Sequence, residues 1–140
     1  MSAAGYSGTP LVRKLGFKPG MRAHLAGAPE GFAALLEDLP EGVRLLAPPA
    51  GELDLVLLFV RERRALERRL PTLQPRLAPA GMIWVAWPKR AAKVPTDMTE
   101  DVVRDVALPL GVVDNKVCAI DDTWSGLRLV IRLVDRPARP

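Results

Sequence analysis

Apolar residues fall along this chain with two spacings, and the places where the spacing changes mark its elements. Leu11 to Leu15 reads as a short helix closed by Gly16, with Lys18-Pro19-Gly20 as the turn after it. Met21 to Leu25 reads as a first strand. From Glu30 to Leu39, the residues Phe32, Leu35, Leu36 and Leu39 recur at helical intervals and predict a helix ended by Pro40 and Gly42. Val43 to Leu46 follows as a second, short strand. Leu53 to Val60 is apolar at every position but Asp54, the mark of a strand covered on both faces. Glu62 to Leu77 places Leu66, Leu70, Leu73 and Leu77 on one stripe and predicts a helix that Pro71 and Pro75 kink or split. Pro79-Ala80-Gly81 turns the chain into Met82 to Trp87, a second doubly buried strand. Asp97 and Glu100 have capping-box spacing, so a helix is expected from Met98 to Leu108, stopped by Gly111. Two strands finish the chain, Asp114 to Ile120 and Leu127 to Leu133, joined by Asp121 to Gly126 as an antiparallel hairpin.

This order predicts an α/β domain: a three-layer, Rossmann-like, mostly parallel sheet with helices on both faces and a C-terminal antiparallel hairpin. One joint strains the plan. Too few residues separate Leu46 from Leu53 for a parallel crossover, which takes about a dozen or more. The Val43 segment is therefore antiparallel or irregular, or the link is a bare extended loop. Residues 1–140 read as a single domain, with 1–8 as a flexible arm and 135–140 as a flexible tail.

Composition narrows the function classes. Hydrophobic residues at 49% and charged residues at 26% suit a globular domain. No apolar run approaches a membrane span, and the N-terminus lacks a secretory pattern. The one cysteine, Cys118, precludes an internal disulfide and reads as a buried structural thiol, so a cytoplasmic protein with no membrane partner is expected. The one histidine, His24, reads as a packed or edge residue and not a base; no metal and no cofactor are expected. A formal charge of +4 and a pI near 9.7 admit an anionic partner. Arg61, Arg63, Arg64, Arg68 and Arg69 carry much of that excess, but Glu62 and Glu67 intervene and no aromatic residue does. A solvated amphipathic face is the plainer reading of that cluster.

The stretch Leu11-Val12-Arg13-Lys14-Leu15-Gly16-Phe17-Lys18-Pro19-Gly20-Met21-Arg22 resembles the lead-in to the first strand of S-adenosylmethionine-dependent methyltransferases. Leu77-Ala78-Pro79-Ala80-Gly81-Met82-Ile83 resembles their turn before a later core strand, and the closing hairpin is similar to theirs. A family of small bacterial proteins of unknown function resembles the chain more specifically. It does so at Tyr6-Ser7-Gly8-Thr9-Pro10-Leu11, at Trp87-Pro88-Lys89, from Val94 to Arg104, from Lys116 to Asp121 and from Thr123 to Arg128. That second resemblance implies no activity. The first implies a methyl donor, yet the chain departs from what one requires. The turn after the first strand, Ala26-Gly27-Ala28-Pro29-Glu30-Gly31, lacks a Gly-x-Gly pair, and Pro29 removes an amide donor. The second strand ends Leu46-Ala47-Pro48-Pro49, with no carboxylate for a ribose before Glu52.

In such a sheet the ligand crevice lies beyond the carboxyl ends of the parallel strands. Lys89 and Lys93 are candidates to hold a small anionic ligand there, with Thr96 and amides at the helix start near Asp97. Asp121, Trp124 and Ser125 on the hairpin turn would complete the wall. Each has a plainer reading: solvated lysines, a helix cap at Asp97, an acidic turn at Asp121. For Trp124 the two readings stand open. Tyr6 belongs to an arm that could close over the crevice or dock on another subunit; more simply, Thr9 caps the first helix. The function expected first is a non-catalytic ligand- or protein-binding, regulatory module on a degenerate methyltransferase-like fold. The alternative is an enzyme using the strand-end crevice, an unorthodox methyltransferase or one acting on another small anionic substrate. Nucleic-acid binding comes third.

Overall fold

A computed structural model describes residues 10–135. Helix α1 (Leu11–Leu15) precedes β1 (Arg22–Ala26), β2 (Arg44–Leu45) and β3 (Leu53–Phe59). Helix α2 (Arg63–Leu73), β4 (Leu77–Pro88), α3 (Glu100–Ala107), β5 (Val112–Ala119) and β6 (Trp124–Ile131) follow. The strands form one sheet in the order β2-β1-β3-β4-β6-β5. β2, β1, β3 and β4 are parallel; β6 inserts antiparallel between β4 and β5. This is the expected three-layer α/β plan with its terminal hairpin.

The apolar run of β3 explains the layering. Leu55, Leu57 and Phe59 point to one face, where Val12 and Leu15 of α1 and Phe32 pack with Trp84 and Ala86. Val56 and Leu58 point to the other, under Leu66, Leu70 and Leu73 of α2 and Val103 and Ala107 of α3. The buried Trp84 fastens α1 to the sheet: its indole N–H donates to the Leu15 carbonyl at 2.8 Å, satisfying an acceptor that the helix end leaves open. Gly16, at φ 94°, then turns the chain away.

Several elements differ from their sequence reading. The helix expected over Glu30–Leu39 is a single 3₁₀ turn, Phe32–Leu35. Gly31 enters it at φ 82° and Asp38 takes a left-handed φ of 61°, so helical backbone is interrupted at both ends. Only Phe32 and Leu36 of its supposed apolar face are buried, while Leu35 is 49% exposed. Pro71 is accommodated within α2, but the helix passes into a 3₁₀ turn at Gln74–Arg76. Leu77 is the first residue of β4, not the end of that helix. The expected turn at Pro79-Ala80-Gly81 is a bulge within β4: Leu53 stands opposite Leu77 and Leu55 opposite Met82. Leu133 lies beyond β6, in a closing 3₁₀ turn with Asp135.

The awkward joint is resolved by the shortness of β2. Leu45 lies opposite Ala23 on one side of β1, and Leu55 lies opposite the same residue on the other. The chain needs only to step past the start of β1, and the bare loop 46–52 suffices. Arg22 ties it down, Nη2 donating to the Ala50 carbonyl at 2.7 Å and Nε to the Glu52 carbonyl at 3.1 Å. Asp54, the polar break in the apolar run, accepts the Arg22 amide at 2.9 Å. Next to it, the buried His24 donates Nδ1–H to the Leu46 carbonyl at 2.6 Å, a packed histidine as expected.

Candidate functional site: the carboxyl edge of the sheet

The strand order reverses between β1 and β3, and in an open parallel sheet the ligand crevice forms beyond their carboxyl ends. Three exits converge on that edge: Gly27–Gly31 after β1, Val60-Arg61 after β3 and Lys89 after β4. The hairpin turn joins them, because the Lys89 amide donates to the Thr123 carbonyl at 2.7 Å. The residues expected at the crevice thus fall into two clusters on this edge.

The first cluster is Lys89, Asp121, Trp124 and Ser125. Trp124 is 7% exposed and belongs to the core. Its ring meets Phe59 edge-on at 5.0 Å, and Phe59 meets Phe32 at 4.8 Å, so three aromatic rings pack edge-to-face across the end of β3. Asp121 organises the turn: one carboxylate oxygen accepts the amides of Thr123 and Trp124, each at 2.8 Å. Ser125 follows Trp124 in β6 opposite Trp87, partly exposed.

The second cluster is Arg61, Thr96 and Asp97. The Thr96 hydroxyl donates to the Arg61 carbonyl at 2.6 Å and accepts the Met98 amide at 3.0 Å. Asp97 was expected to cap the helix that follows it; instead it accepts the Arg63 amide at 2.7 Å, closing the first orphan donor of α2. The cap of α3 is Thr99, whose hydroxyl accepts the Val102 amide at 3.1 Å, while Glu100 pairs with Arg104 at 2.8 Å. Of the amides near that helix start, those of Met98 and Val102 are therefore engaged by side chains of the chain itself. Thr99 followed by Glu100 and Asp101 was a readable start signal, overshadowed by the Asp97 spacing. Lys93 is exposed and closes the 3₁₀ turn Arg90–Ala92 with φ 57°. Tyr6 and the rest of residues 1–9 lie outside the described residues, as do 136–140.

Two residues at the reversal point, Gly27 and Phe32, take packing roles that the sequence reading did not give them. Gly27 sits at φ 69°, and a Cβ there would lie 2.9 Å from the Phe59 carbonyl oxygen and 3.4 Å from the Arg69 guanidinium. Phe32 fills the space beneath. The glycine brings the exits of β1 and β3 together instead of leaving room for a ligand. Beside this edge, on the face carrying α2 and α3, lies an open depression of about 470 Å³, walled by Trp87, Arg90, Val94, Thr96, Asp97 and Met98. Cys118, half-buried on β5, has its thiol pushed up by burial, against the pull of Lys14, Lys116 and Arg128. Burial thus favours the neutral thiol over the thiolate. No helix among the described residues is long and apolar enough to cross a membrane.

No protein-family model and no curated protein matches the chain. Solved structures do. The chain is similar to a ribosomal protein L11 methylase from Lactobacillus delbrueckii subsp. bulgaricus, with TM-score 0.60 and 12% identity over 86% of this chain and 74% of that one. A SAM-dependent methyltransferase from Aquifex aeolicus gives TM-score 0.61 at 12% identity, covering 86% and 88% respectively. Fibrillarin from Aeropyrum pernix, solved with natively bound S-adenosyl-L-methionine, gives 0.56 at 14%, covering 90% and 70%. The chain has a methyltransferase-like Rossmann fold. At these identities the likeness establishes the fold alone. The fold implies S-adenosylmethionine, but the residues here do not suit it. The reversal point is packed with Phe32 and Phe59, and β2 ends without a carboxylate.

Proposed function

We propose that this chain is a non-catalytic binding module built on a methyltransferase-like fold. The observation that carries this reading is the packing at the strand-order reversal, where Phe32, Phe59 and Trp124 pack edge-to-face and Gly27 lies against the Phe59 carbonyl. A methyl donor would have to displace buried aromatic rings from the core to enter. The depression beside Trp87 is the better place for a small ligand, since its volume of about 470 Å³ falls within the range of ligand pockets and its lining sets apolar Trp87, Val94 and Met98 beside polar Thr96 and Thr99. Arg90 lines it, with Lys89 and Lys93 close in sequence, and favours an anionic group; the carboxylates of Asp97 and Glu100, which line it too, are engaged by the Arg63 amide and by Arg104.

Two titrations test the reading. Calorimetry with S-adenosylmethionine and with S-adenosylhomocysteine is expected to give no binding heat, and micromolar affinity for either would refute a non-catalytic module. A thermal-shift panel of small phosphorylated and carboxylated compounds is expected to raise the melting temperature of the wild type but not of Arg90→Ala. Equal shifts in both would move the ligand away from this depression.

A further inference from the structure

We propose that the outward face of α2 grips the phosphate backbone of a nucleic-acid duplex. Burial of Leu66, Leu70 and Leu73 fixes how the helix is rotated and therefore which arginines face solvent. Arg63 and Glu67 lie on the flank toward α3, paired with each other at 2.9 Å, and Arg63 also reaches Asp105 at 3.7 Å. Glu67 is thereby committed to Arg63, and Glu62, at the N-cap of α2, makes no ion pair among the described residues. Arg64 and Arg68 stand one turn apart on the outward face, both exposed. Arg61 is exposed at the end of β3, and Arg69 leans over the exit of β1 against Gly27. Among the described residues, ion pairs involve only Arg63, Arg104 and Arg132, so these four arginines have no carboxylate partner. Like charges one turn apart destabilise an isolated helix. A row of them held uncompensated points to an anion outside the chain.

The geometry favours a nucleic acid over other anions. Arg64 to Arg69 spans about 7.5 Å at helical rise, and Arg61 lies beyond the start of the helix, together too long for one small anion. A duplex presents a charge every ~1.7 Å along its axis, so several phosphates fall within reach. All four cations are arginines, whose planar fork matches phosphate oxygens. No aromatic residue interrupts the row, so it offers no platform for unpaired bases and suits a duplex backbone. A lipid surface fits less well. The outward side carries Arg64, Arg68, Pro71 and Thr72, and no large apolar side chain to insert among acyl chains.

The proposal is independent of the closed crevice, since α2 presents this face whether or not a methyl donor binds. Fluorescence anisotropy of the full chain with short labelled DNA and RNA duplexes across a salt series tests it. Contact with three or four phosphates is expected to give a slope of log K against log salt of about −3. Arg64→Gln and Arg68→Gln should each reduce that slope by about one, equally for unrelated sequences. Arg132→Gln, far along the chain and paired with Asp135, should leave the slope unchanged. The exposed variants are checked for unchanged far-ultraviolet circular dichroism. No binding at low salt, a slope insensitive to Arg64 and Arg68, or tighter binding to phosphatidylglycerol vesicles lost in the same variants would each overturn the proposal. Heat on titrating S-adenosylmethionine would overturn the non-catalytic reading and leave this one standing.

Discussion

Trp124 shows how one side chain decides between two uses of the same edge. On a turn it could have stood as the wall of a site. In the structure its ring is inside, edge-on to Phe59 and in one buried cluster with Ile120 and Phe32. Truncation at such a position removes the transfer energy of the ring and leaves a cavity, about 3–5 kcal/mol together. Trp124→Ala is expected to lose that much stability in urea unfolding, whereas Asp122→Ala, exposed two residues earlier, should stay within about 0.5 kcal/mol. A Trp124→Ala variant as stable as the wild type would return the ring to the surface and reopen the crevice.

At the scale of elements, the loop before α3 shows what local patterns convey and where they stop. Asp97 and Glu100 fit a capping box by spacing, but the carboxylate of Asp97 bonds to the start of α2, 34 residues earlier in the chain. Nothing local distinguishes the two outcomes; the choice is made by packing α2 beside α3. Asp97→Ala is expected to lower stability by about 1 kcal/mol, with Asp97→Asn retaining most of it. Hydrogen exchange separates the assignments, because the Arg63 amide should lose protection in Asp97→Ala while the Val102 amide, held by Thr99, should not. The same contrast runs through the fold. Leu55–Phe59 and the stretch from Met82 were legible because short, unbroken apolar runs bounded by turn residues point to a strand buried on both faces. Glu30–Leu39 was misread because four apolar positions at helical spacing outweighed Gly31 and Asp38, whose left-handed backbone breaks the helix. The candidate site was legible as a location, the carboxyl edge, but not as chemistry. Thr96, Asp97 and Asp121 are bonded to the backbone, and only the tertiary structure reveals those partners.

Across the whole molecule the sheet is unequal. Its centre is β3 and β4, buried on both faces, whereas β2 contributes two exposed residues at one edge and joins β3 through a loop instead of a helix. The loss of that crossover leaves the outer side of β1 held mainly by a few bonds. The Arg44 and Leu46 amides donate to Met21 and Ala23 at 2.9 and 2.7 Å, and Arg22 reaches the Ala50 and Glu52 carbonyls. In cofactor-binding folds this is the half of the sheet that meets the ribose, so the shortened edge and the packed crevice express one change in the molecule. Its energetic signature is local opening. Amides in β3 and β4 should exchange only on global unfolding, while those of Arg44 and Leu46 exchange through a cheaper opening of the edge. Arg22→Ala removes two charge-assisted bonds to the loop and should speed exchange at Arg44 and Leu46 severalfold. Since the bonds are exposed, global stability should fall by only about 1 kcal/mol. If the variant instead lowers protection equally across β3, β4 and the edge, then β2 opens only with the core, and the sheet behaves as one cooperative unit despite its missing helix.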